Sequence, residues 1–585
     1  MRKQKQNFRK SIALLVAAIL AAGCMSGCGA GAADRGNTDS AVTQSGEQNA
    51  GAEADENGVS ELILTDDNIS LNGVEVSTEQ DSVYLSHDII YYEDRERYDS
   101  GNPYGEGSEE ERHTETEAAA HTVVNITEAG IYRISGVLSR GQIRVDLGEE
   151  AFDNPEAVVT LILDGVDITC EVAPAILFLS VYECDHDWSE DTAASGVDTS
   201  AAGANLVLAE GSVNEVHGSY VARIYKDAEG EKKLWKQDGA IYSYMSLNVD
   251  GEGDGSGVLN LRAENEGLDT ELHLTVNGGH LNIYAGNDGI NTNEDGVSVT
   301  TINGGKLHII AGLGEEGDGV DSNGWLVING GTVIAAANPA ADAGLDSDMG
   351  SYINGGTVVA LGSTMDWAES DSEQVTMNLQ FAQYNASDSA IVVKDTEGNL
   401  QFAYDPSEDE VVGENVRSYM GAVVSSPEFE LEESYHVFIG GTLKGTESAG
   451  VYEIASITEY SDGVQQSYTG TDVMMRPGMM GGMGGMRPGD GMHPDDGMRP
   501  DGKDEEWSPE DRGDRGPGGF GGKLPEGEAP QIPDGKVPQI PEEMPEGAFR
   551  WPGDREDMDR DDVNSVFYMQ DKVNCFSGVA DRGQF

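Results

Sequence analysis

The stretch INGGKLHIIAGLGEEGDGVDSNGWLVINGGTVIA, residues 302–335, returns to Ile-Asn-Gly-Gly and an alternating apolar run after one acidic, glycine-rich segment. Further copies of the motif extend this repeat on both sides. The four marker asparagines, spaced 26, 26 and 25 residues apart, are Asn277, Asn303, Asn329 and Asn354. A period in this range indicates stacked supersecondary units, each of which buries its apolar face against the next.

Alternating residues stand at constant offsets on both sides of each Asn-Gly-Gly, which places them on one face of successive strands. The inward positions after the motif are Leu281, Ile283, Leu307, Ile309, Val333, Ala335, Val358 and Ala360. Those before it are Leu274, Val276, Thr300, Ile302, Leu326 and Ile328. Each repeat therefore supplies at least two strands. The sequence predicts an all-β fold, a right-handed parallel β-helix with a β-rich closing segment and disordered termini.

The recurring asparagines predict a structural turn and not a catalytic row. Stacked side-chain amides can hydrogen-bond from one repeat to the next, and the glycines that follow can adopt left-handed backbone geometry. Asn277, Asn303, Asn329 and Asn354 are therefore expected to hold one corner of every repeat together.

The acidic segment on the other side of each repeat predicts a calcium site. Stacking would form one column from Asp269, Asn291, Asp321 and Asp346, with Asp288, Asp318 and Asp342 beside it. Adjacent strands lie about 4.8 Å apart, and two carboxylates at that distance repel by about 3.5 kcal/mol at an effective dielectric constant of about 20. A calcium ion between two strands would relieve this repulsion. The alternative is a solvated acidic turn that recurs only because the repeat recurs.

Charge and the amino terminus limit the partners and the compartment. The 585 residues carry a formal net charge of −71, which argues against binding to nucleic acid or to anionic lipid. A basic start and a short apolar run precede Cys24, the pattern of an export signal. Leu20 to Cys24 resembles a bacterial lipobox, which implies a lipid on Cys24 and an extracellular protein whose membrane contact is through that anchor. Cys28 is the alternative site of lipid attachment.

The domain organisation follows from these changes in composition. The predicted segments are a signal peptide (1–23), a disordered tether (24–58), the β-helix (59–365, with regular repeats at about 246–365), a β-rich closing segment (366–470), a disordered Gly/Met/Pro/acidic tail (471–561) and a terminal strand segment (562–585). Cys170 and Cys184 are open to two interpretations, a disulfide across neighbouring strands or two buried thiols.

The order of several motifs carries a family resemblance. These are ISLNGVEV (69–76), ITEAGIYRISGVLSRGQIRVD (126–146), VVTLILDGVDITCEVAPAI (158–176) and LTVNGGHLNIYAGNDGIN (274–291). Together they resemble a bacterial, notably clostridial, family of secreted carbohydrate-binding domains with a fold similar to pectate lyases. The resemblance implies calcium on the helix and binding of cellulose or of polygalacturonate-like polymers.

A non-catalytic binder is the favoured function, because Arg262 and Lys306 are the only strong bases in the regular repeats from Ser246 to Gly362. The alternatives are a calcium-dependent polysaccharide lyase, for which Arg262 is a weak candidate base, and an adhesin or wall-structural protein. Trp325, Tyr352 and Tyr284 face outward by parity and are the candidate sugar-stacking residues. The same parity is compatible with a loop or the closing segment covering them.

Overall fold

The structure is a computed structural model that describes residues 58–90, 104–105, 113–186, 188–225, 235–314, 316–363, 366–406, 417–471 and 563–581. The predicted signal peptide, Cys24, the tether up to residue 57 and the tail from 472 lie outside these residues. Within the described ranges the protein is mostly β, with large parallel sheets, one short α-helix, α1 (Glu115–Ala119), and two 3-10 turns (Glu149–Ala151 and Ile454–Ser456). This confirms the all-β prediction.

The described strands fall into three groups along the chain. The first ten are β1 (Val59–Leu64), β2 (Ser70–Leu71), β3 (Val74–Glu75), β4 (Val83–Ser86), β5 (Tyr104–Gly105), β6 (Thr122–Ile126), β7 (Gly130–Leu138), β8 (Gly141–Asp146), β9 (Val159–Cys170) and β10 (Ile176–Ser180). The repeat region contains β11 (Ala204–Leu208), β12 (Val213–Gly218), β13 (Val221–Tyr225), β14 (Trp235–Gln237), β15 (Gly239–Ser243), β16 (Leu247–Gly251), β17 (Val258–Ala263), β18 (Glu266–Thr270), β19 (Leu274–Val276), β20 (His280–Ala285), β21 (Ile290–Thr292), β22 (Val299–Ile302), β23 (Lys306–Ile310), β24 (Val320–Ser322), β25 (Trp325–Ile328), β26 (Thr332–Ala336), β27 (Gly350–Ile353) and β28 (Thr357–Gly362). The closing region contains β29 (Thr376–Asn385), β30 (Ile391–Asp395), β31 (Leu400–Tyr404), β32 (Tyr419–Ser425), β33 (Ser434–Ile439), β34 (Thr442–Lys444), β35 (Glu447–Ser448), β36 (Val451–Tyr452), β37 (Glu459–Ser461), β38 (Val464–Ser467), β39 (Phe567–Tyr568) and β40 (Val573–Asp581).

Three ladders of parallel strands run through the repeats. The first ladder is β11, β16, β19, β22, β25 and β27. The second ladder is β12, β17, β20, β23, β26 and β28. The third ladder is β6, β8, β10, β15, β18, β21 and β24. A full repeat thus supplies three strands, one more than the minimum that the sequence indicates.

The register of the first two ladders matches the predicted inward positions. In the second ladder Leu281 aligns with Leu307, and Leu307 aligns with Val333. In the first ladder Val276 aligns with Ile302, and Ile302 with Ile328. All of these side chains are almost completely buried in one core. Because every repeat has nearly the same length, each apolar residue meets its counterpart in the next repeat.

The Asn-Gly-Gly corner is structural, as predicted. Asn303 Nδ2 donates to Asn277 Oδ1 at 2.9 Å, and Asn329 Nδ2 donates to Asn303 Oδ1 at 2.9 Å. Asn354 Nδ2 continues the row to Asn329 Oδ1 at 3.0 Å. The second glycine of each motif has φ between 83° and 89°, a left-handed conformation that residues with a Cβ rarely adopt.

An antiparallel closing region covers one outward face of the second ladder. The strand β32 pairs antiparallel with β28 and with β29, and β40 pairs parallel with β29. Phe567 and Phe576 from the end of the chain are buried in the core beneath this region. This core also contains outward residues of the second ladder, so the closing region hides part of a face that the repeats alone would leave in water.

Cys170 and Cys184 are free thiols in the structure, which decides against the disulfide. Cys170 ends β9, which pairs with β7, β11 and β12. Cys184 follows β10, which belongs to the third ladder. The two residues are therefore not on neighbouring strands, and burial raises the pKa of both thiols to about 12.

Among the described residues, no helix is both long enough and apolar enough to span a membrane.

Candidate functional site

The third ladder carries the acidic residues of the repeats in register. Asp269 aligns with Asn291, and Asn291 aligns with Asp321. Val320 forms a parallel bridge with Leu345, so Asp346 stands next to Asp321 in the following repeat. The structure therefore brings together the four residues of the first predicted column.

Burial makes this column different from an ordinary solvated turn. Leu268, Ile290 and Val320 point into the core, and alternation turns the acidic column to the opposite side of the sheet. That side is nevertheless closed at Asp269, which is 0% exposed, and at Asn291, which is 5% exposed, whereas Asp321 and Asp346 are half-buried. A charged or polar group with so little access to water needs partners within the protein.

Several oxygens of this buried cluster lack such a partner. Among the described residues, Asp269 Oδ2, Asn291 Oδ1 and Glu266 Oε2 are buried without a hydrogen bond. The other oxygen of Asp269, Oδ1, accepts from Asn293 Nδ2 at 2.6 Å. Three unpaired acceptors close together form a set that a cation would satisfy.

A second acidic row lies three positions before the first column, at the start of β18 and just before β21 and β24. The register that aligns Leu268 with Ile290 and Val320 also brings Glu266, Asp288 and Asp318 level with one another. Asp288 Oδ1 accepts from the Asp318 backbone N–H at 2.7 Å, and Asp318 Oδ1 accepts from the Ala343 N–H at 2.5 Å. One oxygen of each carboxylate is thus used to join successive repeats.

Asp342 stands outside this row. The backbone N–H of Gly319 donates to the Ala343 carbonyl, and Val320 donates to Gly344, so Ala343 occupies the level of Asp318. The Asp342 carboxylate accepts from the Gly317 N–H at 2.8 Å instead. The segment from Asp342 to Asp346 is one residue longer than the segment from Asp318 to Asp321, which explains the shift.

The raised pKa values in this cluster show that its negative charges are destabilised. Burial raises the pKa of Asp269, Asp288 and Asp318 well above the usual range, and neighbouring carboxylates raise each of them further. Burial and the adjacent Asp346 raise the pKa of Asp321 to about 8. Without a cation, some of these carboxyl groups would stay protonated and therefore uncharged.

Lys236 is the basic group of this cluster. It lies on β14, which forms a small antiparallel sheet with β13 and β5. Its Nζ is 2.9 Å from Asp238 Oδ2 and 3.9 Å from Glu266 Oε1. Despite burial, these carboxylates and Asp269 hold the pKa of Lys236 well above its usual value. The ammonium group therefore neutralises the first acidic level of the ladder.

Sequence reasoning missed Lys236, Asp238 and Glu266 as members of this cluster. Lys236 and Asp238 precede the regular repeats, so no period marks them. The sequence could have identified Glu266, because it has the same offset from Leu268 as Asp288 has from Ile290. No group of three or more His, Cys, Asp or Glu side chains within the described residues is arranged to hold a metal ion by itself. A metal would therefore also need amide or carbonyl oxygens.

Arg262 does not belong to the acidic cluster, contrary to its proposed role as a base there. It lies on β17 in the second ladder, aligned with Tyr284. Its guanidinium carbon lies 4.9 Å from the centre of the Tyr284 ring. The two ladders are separate faces of the repeat, which nearness in sequence to Glu266 does not reveal.

Two of the three candidate sugar-stacking aromatics are buried. Trp325 is 9% exposed and packs with Ala193 and Val197, which lie in the insertion between β10 and β11. Tyr284 is 3% exposed in the core beneath the closing region. Tyr352 is half-buried beside Trp325. Parity correctly placed these side chains outward, but distant segments cover Trp325 and Tyr284, which therefore offer no free ring face.

The comparisons with known proteins agree with the family resemblance. Residues 120–408 match the family described as "Carbohydrate-binding domain-containing protein", and this part of the chain contains the whole acidic cluster. A solved structure described as the polysaccharide lyase-like protein from C. thermocellum, in a gadolinium derivative, is similar at 21% identity. The match covers 51% of this chain and 92% of that chain, with a TM-score of 0.30. No curated protein matches the chain.

Proposed function

We propose that this chain is a non-catalytic polysaccharide-binding protein whose repeats form a right-handed parallel β-helix. The observation that carries the proposal is the carbohydrate-binding family match over residues 120–408. Three parallel ladders supplied in turn by each repeat support the helical path. The right hand follows from the strong preference for right-handed crossovers between parallel strands.

The proposed cofactor is calcium, bound on the third ladder. Calcium takes six to eight oxygen ligands and accepts carboxylate, amide and carbonyl oxygens. Asp269 Oδ2, Asn291 Oδ1 and Glu266 Oε2 supply buried acceptors without a hydrogen-bond partner among the described residues. Calcium–oxygen distances of about 2.3–2.6 Å let one ion span about 4.6–5.2 Å, which suits the separation of adjacent strands. Asp321 would complete the set from the next repeat.

The chemistry of the cluster favours binding over catalysis. Lys236 is the basic side chain beside the acidic column, and its raised pKa keeps it protonated near neutral pH. A protonated lysine cannot accept a proton from a sugar ring. Arg262, the other candidate base, lies on a different ladder.

The proposed ligands are cellulose or polygalacturonate-like glycans, and the proposed location is the outer face of the cell membrane. A lipid on Cys24 would provide the anchor, as the lipobox-like sequence indicates. A polyuronate and a protein with a charge of −71 repel each other. A calcium ion shared between them would offset that repulsion at short range.

A polymer pull-down with the full chain tests this function. Cellulose and polygalacturonate are each incubated with the protein in calcium and then in chelator. We expect retention on at least one polymer, with calcium increasing the retention on polygalacturonate. Asp321→Asn should weaken the calcium-dependent retention, whereas Asp254→Asn, in an exposed turn, removes the same charge and should not. Failure of the wild type to bind either polymer in either condition would contradict the proposal.

A further inference from the structure

One column of the second ladder changes from buried to exposed along the repeats. Leu361, Ala336, Ile310 and Tyr284 align in successive strands and are all buried beneath the closing region. The next residue in the column is Arg262, which is exposed. The closing region therefore leaves an open outward face on β17 and β12, and Arg262 stands at its border.

Arg262 is held in place on this border without being neutralised. Its guanidinium lies over the Tyr284 ring at 4.9 Å from the ring centre, a contact that orients the charged plane. In the ranges that the structure describes, no carboxylate forms an ion pair with Arg262. This is unusual in a chain with 35 Lys and Arg against 106 Asp and Glu. An oriented guanidinium with free donors matches the planar geometry of a carboxylate.

Polar side chains form an ordered row beside this column. Asn282 Nδ2 donates to Asn260 Oδ1 at 2.8 Å, and Asn260 Nδ2 donates to Glu215 Oε1 at 2.6 Å. These residues lie in register on β20, β17 and β12. His217 is exposed next to Arg262 in the neighbouring strand. The row fixes hydrogen-bonding groups at the strand spacing before any ligand arrives, which lowers the entropic cost of binding.

We propose that this open face of β12, β17 and β20 binds an acidic polysaccharide without calcium. The Arg262 guanidinium pairs with a sugar carboxylate, and the row of Glu215, Asn260 and Asn282 bonds to sugar hydroxyl groups. The proposal rests on the glycan-binding function proposed above, but it uses a different face and a different mechanism from the calcium cluster. At physiological salt, charges farther than about 8 Å are largely screened, so the acidity of the rest of the chain does not prevent a direct Arg–carboxylate contact.

Calorimetric titration of the full chain with oligogalacturonate, in chelator, tests the proposal. Arg262→Gln should bind about tenfold or more weakly, as expected for loss of a charge-assisted bidentate contact. Arg262→Lys should fall between this variant and the wild type, because lysine keeps the charge but loses the planar fork. The matched control is Arg140→Gln, which removes a charge from an arginine whose side chain is 62% exposed, and its affinity should equal that of the wild type. Affinity for a neutral cello-oligosaccharide should be the same in Arg262→Gln and in Arg140→Gln.

Two results would overturn the inference. One is equal oligogalacturonate affinity of Arg262→Gln and Arg140→Gln in chelator. The other is wild-type protein that binds oligogalacturonate in calcium but not in chelator. That result would support the glycan-binding function and contradict a calcium-independent site at Arg262. A wild type that binds neither sugar in either condition would instead contradict the proposed function itself.

Discussion

Two polar columns run along the same repeats, one at the Asn-Gly-Gly corner and one on the third ladder. At the first corner each asparagine donates to the previous one at 2.9–3.0 Å. On the third ladder Asp269, Asn291 and Asp321 stack with the same regularity, yet buried oxygens of Asp269 and Asn291 have no hydrogen-bond partner in the described structure. An amide has both a donor and an acceptor, whereas an ionised carboxylate only accepts. A column of amides therefore satisfies itself, and a column of carboxylates needs a cation or protons.

The largest expected effect comes from removing the cation that the acidic column already contains. Lys236→Met leaves Asp238 and Glu266, whose side chains are 12% and 4% exposed, without a nearby ammonium group. Loss of one partner of a buried ion pair destabilises proteins by about 3 kcal/mol or more. We expect a loss of that size in the free energy of unfolding, measured by urea denaturation in chelator.

An exposed ion pair provides the control for this variant. Lys444 Nζ lies 2.7 Å from Glu459, with side chains that are 62% and 53% exposed. Lys444→Met should cost less than about 1 kcal/mol, as is typical of surface pairs. If the two lysine variants unfold at the same urea concentration, Lys236 does not neutralise the column.

Calcium should stabilise the acidic column and leave the asparagine column unchanged. At free calcium one hundred times the dissociation constant, binding to the folded state adds about 2.7 kcal/mol. Asp321→Asn should lose at least half of this gain, because it removes a charged ligand from the second level. Thermal unfolding with calcium and with chelator measures the difference. Identical calcium responses of the variant and the wild type would place the ion elsewhere.

The same variant tests the pH dependence in the absence of calcium. The folded-state pKa of Asp321 is raised to about 8, above the value of about 3.9 in unfolded chains. The folded state therefore binds the proton more strongly, and this stabilisation is present below about pH 4 and lost as the pH rises toward 8. The stability of Asp321→Asn relative to the wild type should therefore increase as the pH rises through this window. A difference that is constant with pH would contradict the shared burial of these carboxylates.

The smallest expected effect is at the asparagine corner. Asn303→Ala removes one hydrogen bond to Asn277 and one from Asn329, both between exposed side chains. We expect a loss of about 1 kcal/mol in the free energy of unfolding, with the calcium response unchanged. Asn303→Asp cannot donate to Asn277 and should be at least as unstable as the alanine variant in urea denaturation. Full stability of both variants would show that the amide row contributes nothing to the fold.

Sequence patterns placed most of the repeat region correctly because the period is nearly constant. A spacing of 26 residues fixes which residues meet, and it gave the two apolar ladders and the asparagine corner. Asp269, Asn291 and Asp321 are 22 and 30 residues apart, so the recurring acidic motif aligned them and not the constant period. The prediction was off by one position at Asp342, because the segment from Asp342 to Asp346 has one residue more than the segment from Asp318 to Asp321.

The accessibility of the outward residues could not be obtained in this way. Trp325 and Tyr284 face outward, but an insertion and the closing region cover them. Lys236 reaches the acidic column from a strand that precedes the regular repeats. Contacts of this kind join segments that share no period, so their pairing depends on how the irregular parts of the chain pack.

The sequence by itself determined the stacking of the repeats, the inward residues and the polar columns, because these follow from local alternation and from motifs that recur in every repeat. Only the tertiary structure decided which outward faces remain open and which carboxylates are buried. Burial is a property of everything that packs around a residue, including distant segments. The open face at Arg262 and the closed, partly unsatisfied face at Asp269 therefore became distinguishable only once the chain was folded.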